Sequence, residues 1–429
     1  MEKQNFEAQN ASSNDFVKER IKARPVNKAK LLKKTLMTVL SAVIFGIVFC
    51  LCFLILEPRI DNLLHKDDEV PYIEFPEEIV EDELLPENML TDEQQEQGIG
   101  PTGSMEILDL SDYKELQESL AELADKARKS VVSVTGINRE NNWFESTYEN
   151  KSFSSGIIVA DNGQQYLILV KATNIEKAEN IVVVFYNKKQ AGGTLLQVDG
   201  QSEYGVVAVN KNDLSETDRE NIAVATLGSS NLSPILGSSV IALGNPMGTG
   251  EGICYGNVTS VGKALNLVDS NYKIMTTDIY GSTLASGVLV NLNGHVIGII
   301  DSDYNSLDLK NIVSAIGISE MKPLIENLSN DLPIPYLGVK GVSVTTSVNS
   351  NYGVPLGAYV TSVAMDSPAM LAGIQGGDVI TEFDGKEIHN FGDLTQAIFN
   401  SEKEKKVKVT VERETSNGYS DMTIRVTLK

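Results

Sequence analysis

Residues 237–248 read Gly-Ser-Ser-Val-Ile-Ala-Leu-Gly-Asn-Pro-Met-Gly, a short apolar run closed by a Gly-Asn-Pro turn. A short apolar run bounded by turn residues is typical of a buried β-strand. Runs of this kind recur up to about residue 325, at 130–134, 156–159, 166–170, 181–185, 205–209, 240–243 and 295–300. Many short strands separated by Gly and Asn turns predict an all-β barrel or sandwich for this part of the chain.

The composition narrows the classes of protein to which the chain can belong. It has 429 residues, and 36 basic against 58 acidic side chains give a net charge of −22, which excludes nucleic-acid binding by phosphate neutralisation. The length predicts two or three domains. With three cysteines and three histidines, we expect neither a disulfide framework, nor a metal site, nor a cofactor.

Residues 35–56 form an apolar run without a charged side chain. About 22 helical residues suffice to cross a hydrocarbon core of roughly 30 Å. Eight Lys and Arg residues between Lys18 and Lys34 precede the run and acidic residues follow it, so the positive-inside rule predicts a cytoplasmic basic tail at 1–34. The alternative is a cleaved signal peptide, but the run is long and no Ala-x-Ala-like site follows. We therefore expect a single-pass cell-membrane protein whose C-terminal domains are extracytoplasmic.

The remaining boundaries follow from changes of composition. Residues 57–110 are acidic and contain proline, which predicts an extended extracytoplasmic linker rather than a calcium or partner site. Leucine and alanine then recur at helical spacing between Ser111 and Arg128, at the start of a domain spanning 111–328. Asp-Leu-Pro-Ile-Pro at 331–335 predicts a linker to a final domain at 336–429.

The final domain closely resembles a PDZ domain. Residues 357–380 join a strand, a Ser-Pro-Ala helix start, an Ala-Gly-Ile helix end and a Gly-Asp turn in the order that PDZ domains show. Tyr336, Leu337, Gly338 and Val339 match the family's carboxylate-binding loop, in which backbone N–H groups bind a peptide C-terminus beside a strand that accepts the peptide.

The PDZ resemblance also implies a pocket for the peptide's last side chain. Leu394 and Ile398, four residues apart on a short predicted helix from Asp393 to Phe399, would line it. The alternative is that this pair packs in the domain core, as many i, i+4 apolar pairs do.

The middle domain is similar to the trypsin-like domain of the HtrA/Deg serine proteases. Four segments carry the resemblance in order: 154–159, then 225–230 with 237–248, then 256–262, and 276–299. With the PDZ-like domain behind it, the resemblance implies a mainly β chain with a trypsin-like double β-barrel, a PDZ domain and an N-terminal transmembrane helix. It also implies a homotrimer.

The resemblance fails at the catalytic positions. Thr173 stands at the histidine position and Glu203 at the aspartate position, and a threonine hydroxyl is too weakly basic to activate a serine. Counting from Thr277 puts Ser286 at the nucleophile position, whereas counting back from Leu289 puts Ala285 there.

Two further features bear on catalysis. Leu284 replaces the glycine whose N–H supplies half of the family's oxyanion hole. Lys171 would serve as an alternative base only if it were desolvated, and we expect an exposed lysine at a strand end. We expect Cys254 to be a small buried apolar side chain rather than a nucleophile.

Three hypotheses follow. The first is a membrane-anchored HtrA-like pseudoprotease whose PDZ domain binds polypeptide C-termini or unfolded segments in envelope protein quality control. The second is an active serine endopeptidase that uses Ser286 with a non-standard base. The third is a subunit of mixed trimers that tunes active HtrA partners.

Overall fold

The computed structural model describes residues 37, 39, 41, 71–75, 110–140, 148–231, 235–416 and 418–429. Val70–Lys429 forms one compact unit that contains all three β-rich domains. The predicted tail 1–34, almost all of the predicted span 35–56 and most of the predicted linker 57–110 lie outside the described residues. In the part of the chain that the structure describes, no helix is long and apolar enough to cross a membrane.

The first β-domain is a closed six-stranded barrel preceded by a helix. The helix predicted at the start of this domain is α1, Leu110–Arg128. The strands are β1 Val131–Glu140, β2 Tyr148–Asp161, β3 Gln165–Lys171, β4 Asn180–Val184, β5 Gln190–Val198 and β6 Tyr204–Asn210, and they close in the order β1-β2-β3-β6-β5-β4.

The second β-domain repeats this architecture. The short helix α2, Glu216–Arg219, precedes β7 Ser239–Asn245, β8 Gly252–Asn266, β9 Asn271–Tyr280, β10 Ser286–Asn291, β11 Val296–Asp301 and β12 Ile312–Gly317. These strands close in the order β10-β11-β12-β9-β8-β7, and helix α3, Ile318–Ser329, follows. Two closed barrels confirm the double β-barrel and exclude the sandwich.

The continuous apolar runs reflect burial on both faces of a strand. On β3, Ile168 and Val170 belong to the core inside the first barrel, whereas Leu167 and Leu169 belong to the core that joins the domains. On β7, Ala242 likewise packs inside the second barrel. Strands buried on both sides lose the alternation of polar and apolar residues, as these runs do.

The third domain has a five-stranded path with one added short strand. Its elements are β13 Val339–Ser343, α4 Thr346–Tyr352, β14 Ala358–Val363, α5 Pro368–Ala372, β15 Val379–Phe383, β16 Lys386–Glu387, α6 Phe391–Phe399, β17 Lys406–Thr415 and β18 Gly418–Thr427. The path runs β13-β14-β15-β17-β18, and β16 pairs with β15. Ser367 caps α5 and Gly373 ends it with a φ of 93°, as the Ser-Pro-Ala and Ala-Gly-Ile signals predict.

Helix α3 connects several parts of the unit. The Asn327 side chain donates to the carbonyl of Phe399, at the end of α6, at 2.8 Å. Residues 71–75 of the predicted linker pack against the C-terminal end of the same helix. There the Ile73 N–H donates to Asn330 Oδ1 at 2.8 Å, and Asn330 Nδ2 donates to the Ile73 carbonyl at 2.8 Å.

Candidate active site and peptide-binding loop

Thr173 and Glu203 are neighbours because they follow and precede two paired strands, β3 and β6. Lys171, the last residue of β3, pairs with Tyr204, the first of β6, so the residues just outside the two strand ends meet. Thr173 lies in a 3₁₀ turn after β3, and its Oγ1 donates to Glu203 Oε2 at 2.9 Å. Both side chains are exposed, and the threonine hydroxyl at the expected base position is too weakly basic to activate a serine near neutral pH.

Ser286 begins β10 and is paired on both sides, with Asn245 of β7 and Asp301 of β11. Its hydroxyl donates to Ser155 Oγ at 3.1 Å and accepts from the Ser155 N–H at 3.3 Å. Ser155 belongs to β2 of the first barrel, so this contact joins the two barrels. The hydrogen bonds that Ser286 Oγ makes with described residues therefore go to Ser155 rather than to a base.

The turn before Ser286 uses its own N–H groups. The Leu284 N–H donates to Ser282 Oγ at 3.1 Å, and the Ala285 N–H donates to the Ser282 carbonyl at 3.1 Å. An oxyanion hole needs preorganised donors aimed at the developing charge. In this geometry the two N–H groups point back into the turn, while the Leu284 side chain is exposed and Ala285 is buried.

Lys171 is not the exposed lysine that we expected. Its side chain is only 21% exposed, and Nζ lies 2.9 Å from Oδ2 of the buried Asp301 and also contacts Asp303. Burial by itself would lower the pKa of Lys171, but the charges and hydrogen bonds of Asp301 and Asp303 raise it above its usual value. A lysine held protonated in this way cannot take a proton from Ser286.

The remaining candidates are not placed for catalysis. Cys254 is partly buried against the core of the second barrel, and burial raises the pKa of its thiol. His295 lies at the end of the β10–β11 turn and is partly buried, and its backbone N–H donates to Asn291 Oδ1 at 3.0 Å. His389 is exposed in the third domain.

The loop 336–339 already holds a carboxylate. The N–H groups of Leu337, Gly338 and Val339 all donate to the carboxylate of Asp269, with N–O distances of 2.7 to 2.9 Å. Gly338 has a φ of 94°, and a Cβ built there would lie 2.2 Å from Ser367 Cβ, so only glycine fits. The loop therefore has the geometry of an anion-binding nest made of backbone N–H groups.

Asp269 comes from the turn between β8 and β9 in the second barrel, and it is 3% exposed. Burial raises its pKa to about 6, although the N–H groups of Val339, Gly338 and Leu337 act in the opposite direction. Sequence reasoning missed this residue, because nothing in Leu-Val-Asp-Ser-Asn at 267–271 distinguishes it from an ordinary turn.

The same turn also contacts strand β13. The Asp269 N–H donates to the Val339 carbonyl at 2.7 Å, and Asn271 Nδ2 donates to the Gly341 carbonyl at 3.0 Å. Among the described strands β13 pairs only with β14, so its other edge faces this turn.

The predicted pocket residues are buried. Leu394 and Ile398 on α6 are 0% exposed and belong to the same core cluster as Leu337 and Val339. Next to them, a cavity of about 700 Å³ lies between the domains, and Val342, Phe391, Gln396, Tyr272 and Glu320 are among its lining residues.

Comparison with known proteins agrees with this architecture. Residues 154–299 match the trypsin-like peptidase domain, and residues 335–428 match the PDZ domain. The periplasmic pH-dependent serine endoprotease DegQ of Escherichia coli is 28% identical over 290 residues, which are 65% of this chain and 59% of DegQ. The serine protease Do-like HtrA of Bacillus subtilis is 27% identical over 300 residues, which are 65% of this chain and 64% of that protein.

A solved structure, the HtrA-type protease AlgW with decapeptide, aligns with a TM-score of 0.52 at 20% identity, covering 72% of this chain and 98% of AlgW. This likeness shows the fold. The chain thus has the architecture of a trypsin-like peptidase domain followed by a PDZ domain. It is a homologue of the HtrA-family serine proteases, and the match spans less than two thirds of the two relatives' length.

Proposed function

We propose that the chain is a proteolytically inactive HtrA-type protein that captures polypeptide C-termini through the loop 336–339. The observation that carries the loss of proteolysis is the hydrogen bond between Thr173 and Glu203, at the positions where the family has its histidine and aspartate. A serine without a neighbouring base stays a weak nucleophile.

The other groups around Ser286 support the same proposal. Lys171 is held protonated by Asp301 and Asp303, and the N–H groups of Leu284 and Ala285 are used inside their own turn. Nucleophile activation and oxyanion stabilisation are therefore both impaired, and each is worth orders of magnitude in rate.

Peptide capture is supported by the carboxylate chemistry of the loop. Three converging N–H groups bind a carboxylate in this structure, and directly after them begins the edge of β13 that pairs with no described strand. A peptide C-terminus offers the same carboxylate together with a backbone that can pair with an edge strand.

The location and partners of the protein complete the proposal. The apolar run 35–56 and the basic residues before it support a single membrane span with a cytoplasmic N-terminus. We place the folded domains outside the cell membrane, where they would bind C-termini or unfolded segments during envelope protein quality control. A homotrimer, or a mixed trimer with active HtrA subunits, is the assembly that the family resemblance supports.

The test measures cleavage and binding with the full chain in detergent. Fluorescently labelled unfolded casein is incubated with the wild-type protein and with Ser286→Ala, with trypsin as a positive control for the substrate. We expect no cleavage by either form. Cleavage that disappears in Ser286→Ala would refute inactivity and favour the endopeptidase alternative.

Binding is measured by fluorescence anisotropy with a labelled decapeptide pool whose last four positions are randomised. The pool is prepared with a free C-terminal carboxylate and, as a control, with a C-terminal amide. We expect the free-acid pool to bind more tightly than the amidated pool. No preference for the free acid up to millimolar concentration, in the wild-type protein and in the Asp269 variants described below, would refute peptide capture.

A further inference from the structure

The turn between β8 and β9 makes the contacts expected of a bound peptide end. The Asp269 carboxylate accepts from the N–H groups of Leu337, Gly338 and Val339. The Asp269 N–H and the Asn271 side chain donate to the carbonyls of Val339 and Gly341 on the open edge of β13. Both halves of a strand-addition site, the N–H loop and the alternate carbonyls of the strand, are therefore occupied from within the chain.

We propose that Asp269 is an internal ligand of the peptide-binding loop, so that a C-terminal peptide binds only after it displaces the β8–β9 turn from the PDZ domain. This regulation rests on the proposed function of the loop as a peptide site. It adds that the second barrel competes with the peptide and that peptide binding opens the contact between the two domains.

Steric exclusion makes the competition direct. Asp269 is 3% exposed, and its two carboxylate oxygens accept from the N–H groups of Leu337, Gly338 and Val339. Each donor would otherwise be an unpaired polar group in a buried site, which is costly. An external carboxylate therefore cannot share the loop with Asp269 and must replace it.

The covalent connection gives the internal ligand an advantage. A ligand within the same chain acts at an effective concentration that does not fall on dilution. When the loop is closed most of the time, the apparent dissociation constant of a peptide is larger by the reciprocal of the open fraction. Removing the Asp269 carboxylate should therefore tighten peptide binding without any change in the residues that touch the peptide.

Two substitutions separate the carboxylate from the backbone conformation. Asp269 has a φ of 62°, which glycine and asparagine adopt readily. Asp269→Gly removes the carboxylate, and Asp269→Asn replaces one oxygen by an N–H₂ group that faces the loop's own donors. Asp384→Asn is the matched control. Asp384, in the β15–β16 turn, also has a left-handed φ, 49°, but its carboxylate pairs with Lys405 and not with the loop.

The experiment uses the full chain and the labelled decapeptide pool, with hydrogen exchange of residues 336–343 followed in parallel. We expect the two Asp269 variants to bind the free-acid pool about tenfold more tightly than the wild-type protein, with faster exchange of the loop amides. Asp384→Asn should match the wild-type protein in both measurements. Circular dichroism of each variant checks that it is folded.

The outcomes separate this inference from the proposed function. Equal, measurable binding of the free-acid pool by the wild-type and both Asp269 variants would overturn the competition and leave peptide capture intact. No binding by any form would refute peptide capture and the regulation with it, and unchanged exchange in both variants would refute Asp269 as a ligand of the loop.

Discussion

Thr173 Oγ1 donates a hydrogen bond to Glu203 Oε2 at 2.9 Å, so the two side chains that we assign to the family's histidine and aspartate positions are bonded to each other and not to Ser286. The contact keeps the two residues adjacent, although neither is a histidine. The 3₁₀ turn after β3 and the left-handed backbone of Glu203, with a φ of 63°, still bring the two positions together.

Restoring the two side chains should not restore proteolysis. In the double variant Thr173→His with Glu203→Asp, the Leu284 N–H still points at Ser282, so the oxyanion lacks one of its two donors. We expect its casein cleavage to equal that of the same variant carrying Ser286→Ala. A rate at least about tenfold above that background would show that the turn rearranges in the presence of substrate.

Removing Lys171 should destabilise the protein strongly. In Lys171→Met the carboxylate of Asp301, which is 2% exposed, loses its ion-pair partner, and we expect a loss of about 3 kcal/mol in the free energy of unfolding. Urea denaturation measures this loss. The control is Lys188→Met, whose pair with Glu251 is exposed at the surface, and which should cost less than about 1 kcal/mol. Similar losses in the two variants would contradict the buried ion pair.

Substituting Gly338 should abolish peptide binding. In Gly338→Ala the new Cβ would lie 2.2 Å from Ser367 Cβ, and the alanine would have to adopt a φ of 94°. The loop must therefore distort. The matched control is Gly385→Ala, where φ is 86° but the Cβ meets nothing within 4 Å. We expect the control to retain binding of the free-acid pool, and retained binding in Gly338→Ala would exclude the loop as the carboxylate site.

Closure of the loop by Asp269 should depend on pH. The pKa of Asp269 is raised to about 6 in the closed state, so the closed state binds a proton more readily than the open state. Closure is therefore strengthened below the ordinary pKa of an aspartate and weakened as the pH rises through about 6. Asp199, Tyr336 and Lys403 line the cavity beside Asp269, and repulsion by Asp199 adds to the upward shift.

Peptide binding at pH 5 and at pH 7.5 measures this dependence. We expect the wild-type protein to bind the free-acid pool more tightly at pH 7.5, and Asp269→Gly to bind it equally well at both values. The same pH dependence in Asp269→Gly would assign the effect to another group.

Local apolar runs predicted many of the barrel strands, but not how the strands close. The run 240–243 lies within β7, and the Ser-Pro-Ala signal marks the start of α5. Barrel and sandwich differ only in which distant strands pair, such as β1 with β4, and no local pattern encodes that choice. Strands β5, β8, β9 and β12 were missed, and in β5 Gly192 and Gly193 interrupt the apolar pattern.

The site shows the same division between local and distant information. Gly338 was predictable because its role depends on its own backbone. The burial of Lys171 depends on Asp301, which lies 130 residues away in the chain, and the occupant of the PDZ loop, Asp269, lies 68 residues before Leu337. Such long-range pairs are invisible to spacing rules, so the sequence suggested an exposed lysine and an open loop.

If the chain is anchored in the membrane as proposed, the attachment of Ile73 to Asn330 limits how far the folded domains reach from the bilayer. With the proposed span ending at Leu56, the tether to the point of attachment is residues 57–72 rather than the whole acidic segment 57–110. Fully stretched, 16 residues extend at most about 55 Å, against roughly 190 Å for the whole segment. Polypeptides captured by the PDZ domain would therefore be those that emerge close to the bilayer surface. Removing the hydrogen bonds between Ile73 and Asn330 would increase the distance from the bilayer at which the PDZ domain can bind them.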